Sequence, residues 1–260
     1  MVSSSSIAFM VFSGLVALLT PILLLIYGRK KYKISMKAVG VGILTFIVFA
    51  QVLEQILHSV VIGKGLVKPG TIGLAIYGAL AAGVFEEVGR YVFMKFLLKK
   101  NREWKDGFAF GIGHGGIEAI LISVVASVQN IIFAIMVNNN TFGTLISAVG
   151  SNPAAKQQME ALRSTLINTS PFMFALGGIE RIFAISIHIA GSITVMYAIR
   201  SKKIIYLFVA ILGHALVDFL PGLYQAGMFG VIQAEIIVGI IAIGMVAFIV
   251  KSKSIFRWDN

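Results

Sequence analysis

Of 260 residues, 58% are hydrophobic and 13% are charged, and the mean hydropathy is +0.92, whereas soluble domains carry closer to a quarter charged residues. That argues against a water-soluble enzyme, a disordered tail and a DNA-binding domain, despite a formal net charge of +11. With no cysteine there is no disulfide, thiolate metal site, iron–sulfur cluster, cysteine nucleophile or palmitoyl anchor, so any chemistry falls to carboxylates, imidazoles, hydroxyls and arginines.

A spanning helix needs about 20 mostly apolar residues, and seven runs meet that, at 5–27, 37–62, 71–98, 107–137, 171–199, 204–221 and 228–250. The expectation is an all-α polytopic membrane protein, one integral membrane domain over 1–260. The first run lacks a basic segment before it and ends in Arg29, Lys30 and Lys31 rather than small residues, so it reads as a retained helix and not a cleaved signal. Between the fourth and fifth runs lies the long loop 138–170. Its segment Ala154 to Ile167 places Met159, Leu162 and Leu166 at helical spacing, which suits a helix on the membrane surface.

Basic loops stay cytoplasmic. Runs one and two are joined by Arg29, Lys30, Lys31, Lys33 and Lys37, runs three and four by Lys95, Lys99, Lys100, Arg102 and Lys105, and runs five and six by Arg200, Lys202 and Lys203, while the tail carries Lys251, Lys253 and Arg257. The opposite loops hold only Lys64, Lys68, Lys156 and Arg163. The expected location is the cell membrane, with the N-terminus outside and the C-terminus cytoplasmic. Topology accounts for the positive charge, and no nucleic-acid partner is needed.

Within the predicted spans lie Arg90, Arg181, all four histidines (His58, His114, His188, His214) and seven of the 11 acids: Glu54, Glu86, Glu87, Glu118, Glu180, Asp218 and Glu235. Each charge at a helix centre costs about 2.5–3.5 kcal/mol on insertion scales, too much to repeat this often without function. At about 1.5 Å rise per residue, His114, Glu118, His214, His188, Glu87, Glu86 and Asp218 all fall about 10–22 Å from the cytoplasmic ends. Runs three to six, about 71–221, therefore form the working core. Glu54, His58 and Glu235 lie nearer the outer face and read as structural or loop-facing.

Spacing of four places Glu86 with Arg90, His114 with Glu118, and His214 with Asp218 on common sides, and Glu180 shares a side with His188 two turns on. Adjacent Glu86 and Glu87 differ by about 100°, so one faces a reacting group while Arg90 holds the other. Stripes of small residues (Gly78 and Ala82; Ala75, Ala79 and Gly83; Gly107, Gly111, Gly115 and Ala119) permit close helix approach. Gly115-Gly116-Ile117-Glu118 and Gly177-Gly178-Ile179-Glu180 repeat one device, a flexible glycine pair before a buried acid. Glu118 and Glu180, with His188 and Arg181, read as groups that hold and orient the catalytic ones.

Glu86-Glu87-Val88-Gly89-Arg90, Phe110-Gly111-Ile112-Gly113-His114 and His214-Ala215-Leu216-Val217-Asp218 together resemble the glutamic-type intramembrane proteases of the CAAX-processing clan. Within it, Gly113-His114-Gly115-Gly116-Ile117-Glu118 and the later Glu180-Arg181 with His188 are most similar to the YhfC family of membrane peptidases. The resemblance implies cleavage of a membrane-embedded or membrane-associated peptide near the cytoplasmic half of the bilayer. It implies Glu86 as general base, His114 holding the water, His214 and Asp218 binding the oxyanion and Arg90 orienting the glutamates, with no cofactor. Asp218 could donate to an oxyanion only when protonated, which burial favours. CAAX-type members more often carry one further residue before the arginine, so Glu86 and Glu87 both stay candidates for the base.

Two alternatives stand beside it. His114, His188 and His214, with a carboxylate, supply the ligand types of catalytic zinc, although His-Glu-x-x-His is absent. Buried Glu, His and Asp also relay protons in ion-coupled transporters, although no inverted repeat is visible.

Overall fold

The computed structural model describes residues 1–256; Arg257, from the basic tail, lies outside the described residues. Among the described residues there is no strand. The helices are α1 Ser4–Tyr32, α2 Met36–Val61, α3 Ile72–Leu97 and α4 Trp104–Asn138, then the short α5 Gly143–Ala148 and α6 Pro153–Asn168, and finally α7 Pro171–Arg200, α8 Ile205–Gln225 and α9 Val231–Ile255. All but α5 and α6 are long and apolar enough to cross a membrane, and each matches one predicted run.

Local chemistry sets the ends. The hydroxyls of Ser35 and Thr71 accept from the backbone N–H of Ala38 and Leu74 at the starts of α2 and α3, and Asn152 caps α6 ahead of Pro153, satisfying N–H groups that a helix leaves without partners. Lys33 and Lys202 follow α1 and α7 with φ of 54° and 57°, a left-handed conformation that turns the chain sharply.

The described chain forms two compact units. One comprises Met1–Leu19 and Ala119–Ile182, the other Thr20–Glu118 and the chain from Phe183 onward. In the first, Val2, Met10, Ala134, Val137, Phe142 and Leu166 form a core against which Met159 and Leu162 pack. The apolar side of α6 is thus covered by protein, where the sequence suggested a membrane surface.

In the second unit α3 packs most extensively on α8 and also along α2. Small residues set these approaches. A Cβ on Gly83 would lie 2.7 Å from the Ile211 carbonyl oxygen, and one on Gly222 2.7 Å from the Ala75 Cβ. Gly107, Gly111 and Gly115 of α4 face α7, where an added Cβ would meet Ile193 Cα at 3.1 Å, Ile189 Cα at 2.5 Å and His188 Cβ at 3.0 Å. Gly113 turns to α2, 2.0 Å from the Val39 carbonyl oxygen by the same measure. The repeated glycine pairs likewise serve contact rather than flexibility: both are helical, with Gly116 against Pro21 and Gly178 against Ser13. Within α2, Phe46–Glu54 is a π-helix, a widening often found at functional sites, and it ends with Glu54 buried.

Candidate active site

Arg90 is the hub of the second unit. Its side chain has no exposed surface, so its charge must be matched by buried partners. Four residues back along α3, the Glu86 carboxylate accepts from Nη2 at 3.1 Å, and three residues back Glu87 Oε1 pairs with Nη1 at 2.9 Å. Nη2 also lies 2.6 Å from His188 Nδ1, and Nη1 donates to the His188 carbonyl at 3.4 Å. Arg90 thus holds both glutamates, where the sequence suggested one held and one free.

The guanidinium can only donate, so His188 Nδ1 is an acceptor and its proton sits on Nε2. That nitrogen is paired with Glu118 Oε2. Glu118 therefore fixes the tautomer of His188 on α7, not that of His114 on its own helix. His114, wholly buried, directs Nε2 to Glu86 Oε2 at 2.8 Å, with Phe46 edge-on to its ring and Phe110 stacked on it. On α8, His214 Nδ1 lies 2.7 Å from Glu87 Oε1 and Nε2 lies 3.3 Å from Asp218 Oδ2.

Glu86, Glu87, Arg90, His114, Glu118, His188, His214 and Asp218 are thus one connected network. Asp218 differs from expectation, for its side chain is 39% exposed rather than buried. Glu180 and Arg181 belong to the other unit, where they pair with each other at 2.5 Å. Glu54 pairs with His58 Nε2 at 3.2 Å, and His58 Nδ1 lies 2.8 Å from the Tyr77 hydroxyl.

Gly191 was missed from sequence. A Cβ there would lie 2.7 Å from Arg90 Nη1 and 3.3 Å from Glu87 Oε1, so only glycine leaves the hub its space. Its one signal is a glycine three residues after an intramembrane histidine.

Glu86, His188 and His214 also bring three ligand atoms within 4.8 Å of one another. One carboxylate and two imidazoles are a donor set of catalytic zinc. As arranged, however, the His188 Nδ1 lone pair is engaged by Arg90, whose Nη2 also contacts Glu86, and His188 Nε2 faces Glu118. Arg90 Nη2 thus contacts two of the three donors, Glu86 Oε2 and His188 Nδ1, and a metal ion held by this group would have to displace it.

The sequence model of the YhfC family, described as "YhfC intramembrane metalloprotease", matches residues 16–252. The "Uncharacterized membrane protein YhfC" of Bacillus subtilis (strain 168) is 41% identical over 264 residues, covering 99% of this chain and 100% of that protein. No solved structure matches.

Proposed function

The chain belongs to the YhfC family, and from that premise we propose that it is an intramembrane peptidase in which Glu86 activates the attacking water. The carrying observation is the convergence of three imidazoles on one atom. Glu86 Oε2 lies 2.8 Å from His114 Nε2, 3.8 Å from His188 Nδ1 and 3.9 Å from His214 Nε2. His188 Nδ1 is taken by Arg90, whereas the separation from His214 Nε2 exceeds direct hydrogen bonding and suits a bridging water or substrate oxygen.

In this reading Glu86 takes a proton from the water as its oxygen attacks the peptide carbonyl, then passes it to the departing nitrogen. His114 orients the Glu86 carboxylate, and Arg90 locks both glutamates. His214, between Glu87 and Asp218, lies where it can donate to the developing oxyanion. The substrate is a membrane-embedded or membrane-associated peptide, cut toward the cytoplasmic half of the bilayer, with the N-terminus outside. A metal-dependent reading is favoured by the family's description and by the grouping of Glu86, His188 and His214, and requires Arg90 to leave His188 Nδ1.

The test is cleavage of a single-span peptide by purified protein. Glu86→Gln, which keeps an acceptor for His114 and Arg90, should lower the rate about a hundredfold or more while the protein stays folded. Undiminished cleavage by a folded Glu86→Gln variant would remove Glu86 from the role of base.

A further inference from the structure

Beside the network is a cavity of about 380 Å³ between α3, α8 and the end of α2. It reaches from Asp218 toward Gly70 and Thr71, at the loop between α2 and α3. Asp218 is its link to the reaction centre: Oδ2 lies 3.3 Å from His214 Nε2, the nitrogen that is 3.9 Å from Glu86. His58 and Tyr77 also line it, and Glu54 pairs with His58. Among the described residues no lysine or arginine lines the cavity, and Asp218 is the acidic side chain on its wall.

Hydrolysis makes products of opposite charge. The C–N bond breaks and the water oxygen joins the carbonyl carbon. The water's two protons end on the departing nitrogen, which leaves at neutral pH as an ammonium beside a carboxylate. A cavity bearing a carboxylate and hydrogen-bonding groups but no cation attracts the ammonium product and repels the other.

Resting on the peptidase reading, we propose that this cavity is the leaving-group subsite, which takes the substrate on the amine side of the scissile bond and holds the new amino terminus at Asp218. The substrate chain then runs from the reaction centre toward the 62–71 loop, and the Tyr77 hydroxyl, held by His58 Nδ1, offers a hydrogen bond to its peptide groups.

The absence of native cysteine allows a direct test. A Cβ on Gly78, a lining residue, meets nothing within 4 Å, so Gly78→Cys places a thiol in the cavity without repacking, and Gln225→Cys serves as a second reporter from α8. A cationic methanethiosulfonate should modify these thiols about tenfold faster than an anionic one, normalised to a free thiol, and Asp218→Asn should bring the ratio near one. The tripeptide Ala-Ala-Leu amide with a free amine should slow labelling, and its N-acetyl form should not.

Equal labelling by both reagents, or equal protection by both peptides, would overturn the subsite while leaving cleavage by the wild type intact. Selective protection in a protein that cleaves no peptide would instead overturn the hydrolytic reading and leave an amine-binding cavity. Labelling and protection need no turnover, so the two failures are distinguishable.

Discussion

Gly191→Ala tests the buried hub by adding one methyl group. The new Cβ would lie 2.7 Å from Arg90 Nη1 and 3.3 Å from Glu87 Oε1. Carbon and nitrogen do not share that space, so the guanidinium must retreat by about 0.7 Å to reach the 3.4 Å at which ordinary contact begins. Nη1 carries the 2.9 Å pair to Glu87 and a 3.4 Å bond to the His188 carbonyl that has no slack. Straining or losing one hydrogen bond to a charged group costs about 1.5–3 kcal/mol, and overpacking adds a cost of the same order. A misplacement near 1 Å can lower rates about a hundredfold. Purified Gly191→Ala should therefore melt measurably lower in detergent and cleave about tenfold to a hundredfold more slowly. Gly40→Ala, whose added Cβ meets nothing within 4 Å, should match the wild type in both assays. Wild-type stability and cleavage in Gly191→Ala would refute the claim that Arg90 is locked in place by its surroundings.

Arg90→Lys keeps the charge but not the fork that reaches Glu86, Glu87 and His188 together; it should lower stability by about 3–5 kcal/mol, as when a buried ion pair is broken, read by chemical denaturation. Glu118→Ala leaves the buried His188 Nε2–H without its acceptor and should cost about 1–3 kcal/mol, whereas Glu118→Gln can accept that bond and should lose less; equal loss in both would remove Glu118 from holding the tautomer. A reporter fused after residue 260 should be active only in the cytoplasm, and activity outside would reverse the orientation assigned from the basic loops.

The spans were legible because about 20 apolar residues in a row have few other uses, and the site's residues because ionisable groups inside a membrane are costly. The Gly107, Gly111 and Gly115 stripe was legible too, and it meets α7. Pairing between helices was not. Spacing on α4 placed Glu118 on the side of His114, but its partner, His188, comes from α7, and one helix's periodicity does not report the rotation of its neighbour. The exposure of Asp218 depends on the space left by Gly70, Gly78 and Gly222 around one cavity, a property of three segments at once. The apolar side of α6 was visible from Met159, Leu162 and Leu166, but whether lipid or protein covers it is set by Val2, Met10 and Phe142, distant in sequence.

The central claim is that Glu86, held by Arg90 and His114, activates water without a metal ion. Its most direct test is cleavage of a single-span peptide by purified protein before and after exhaustive chelation, with bound metal quantified in the same samples. The account predicts that the metal-stripped wild type keeps its rate. Loss of cleavage on stripping, with recovery on adding zinc at one ion per chain, would contradict it and assign Glu86, His188 and His214 as ligands.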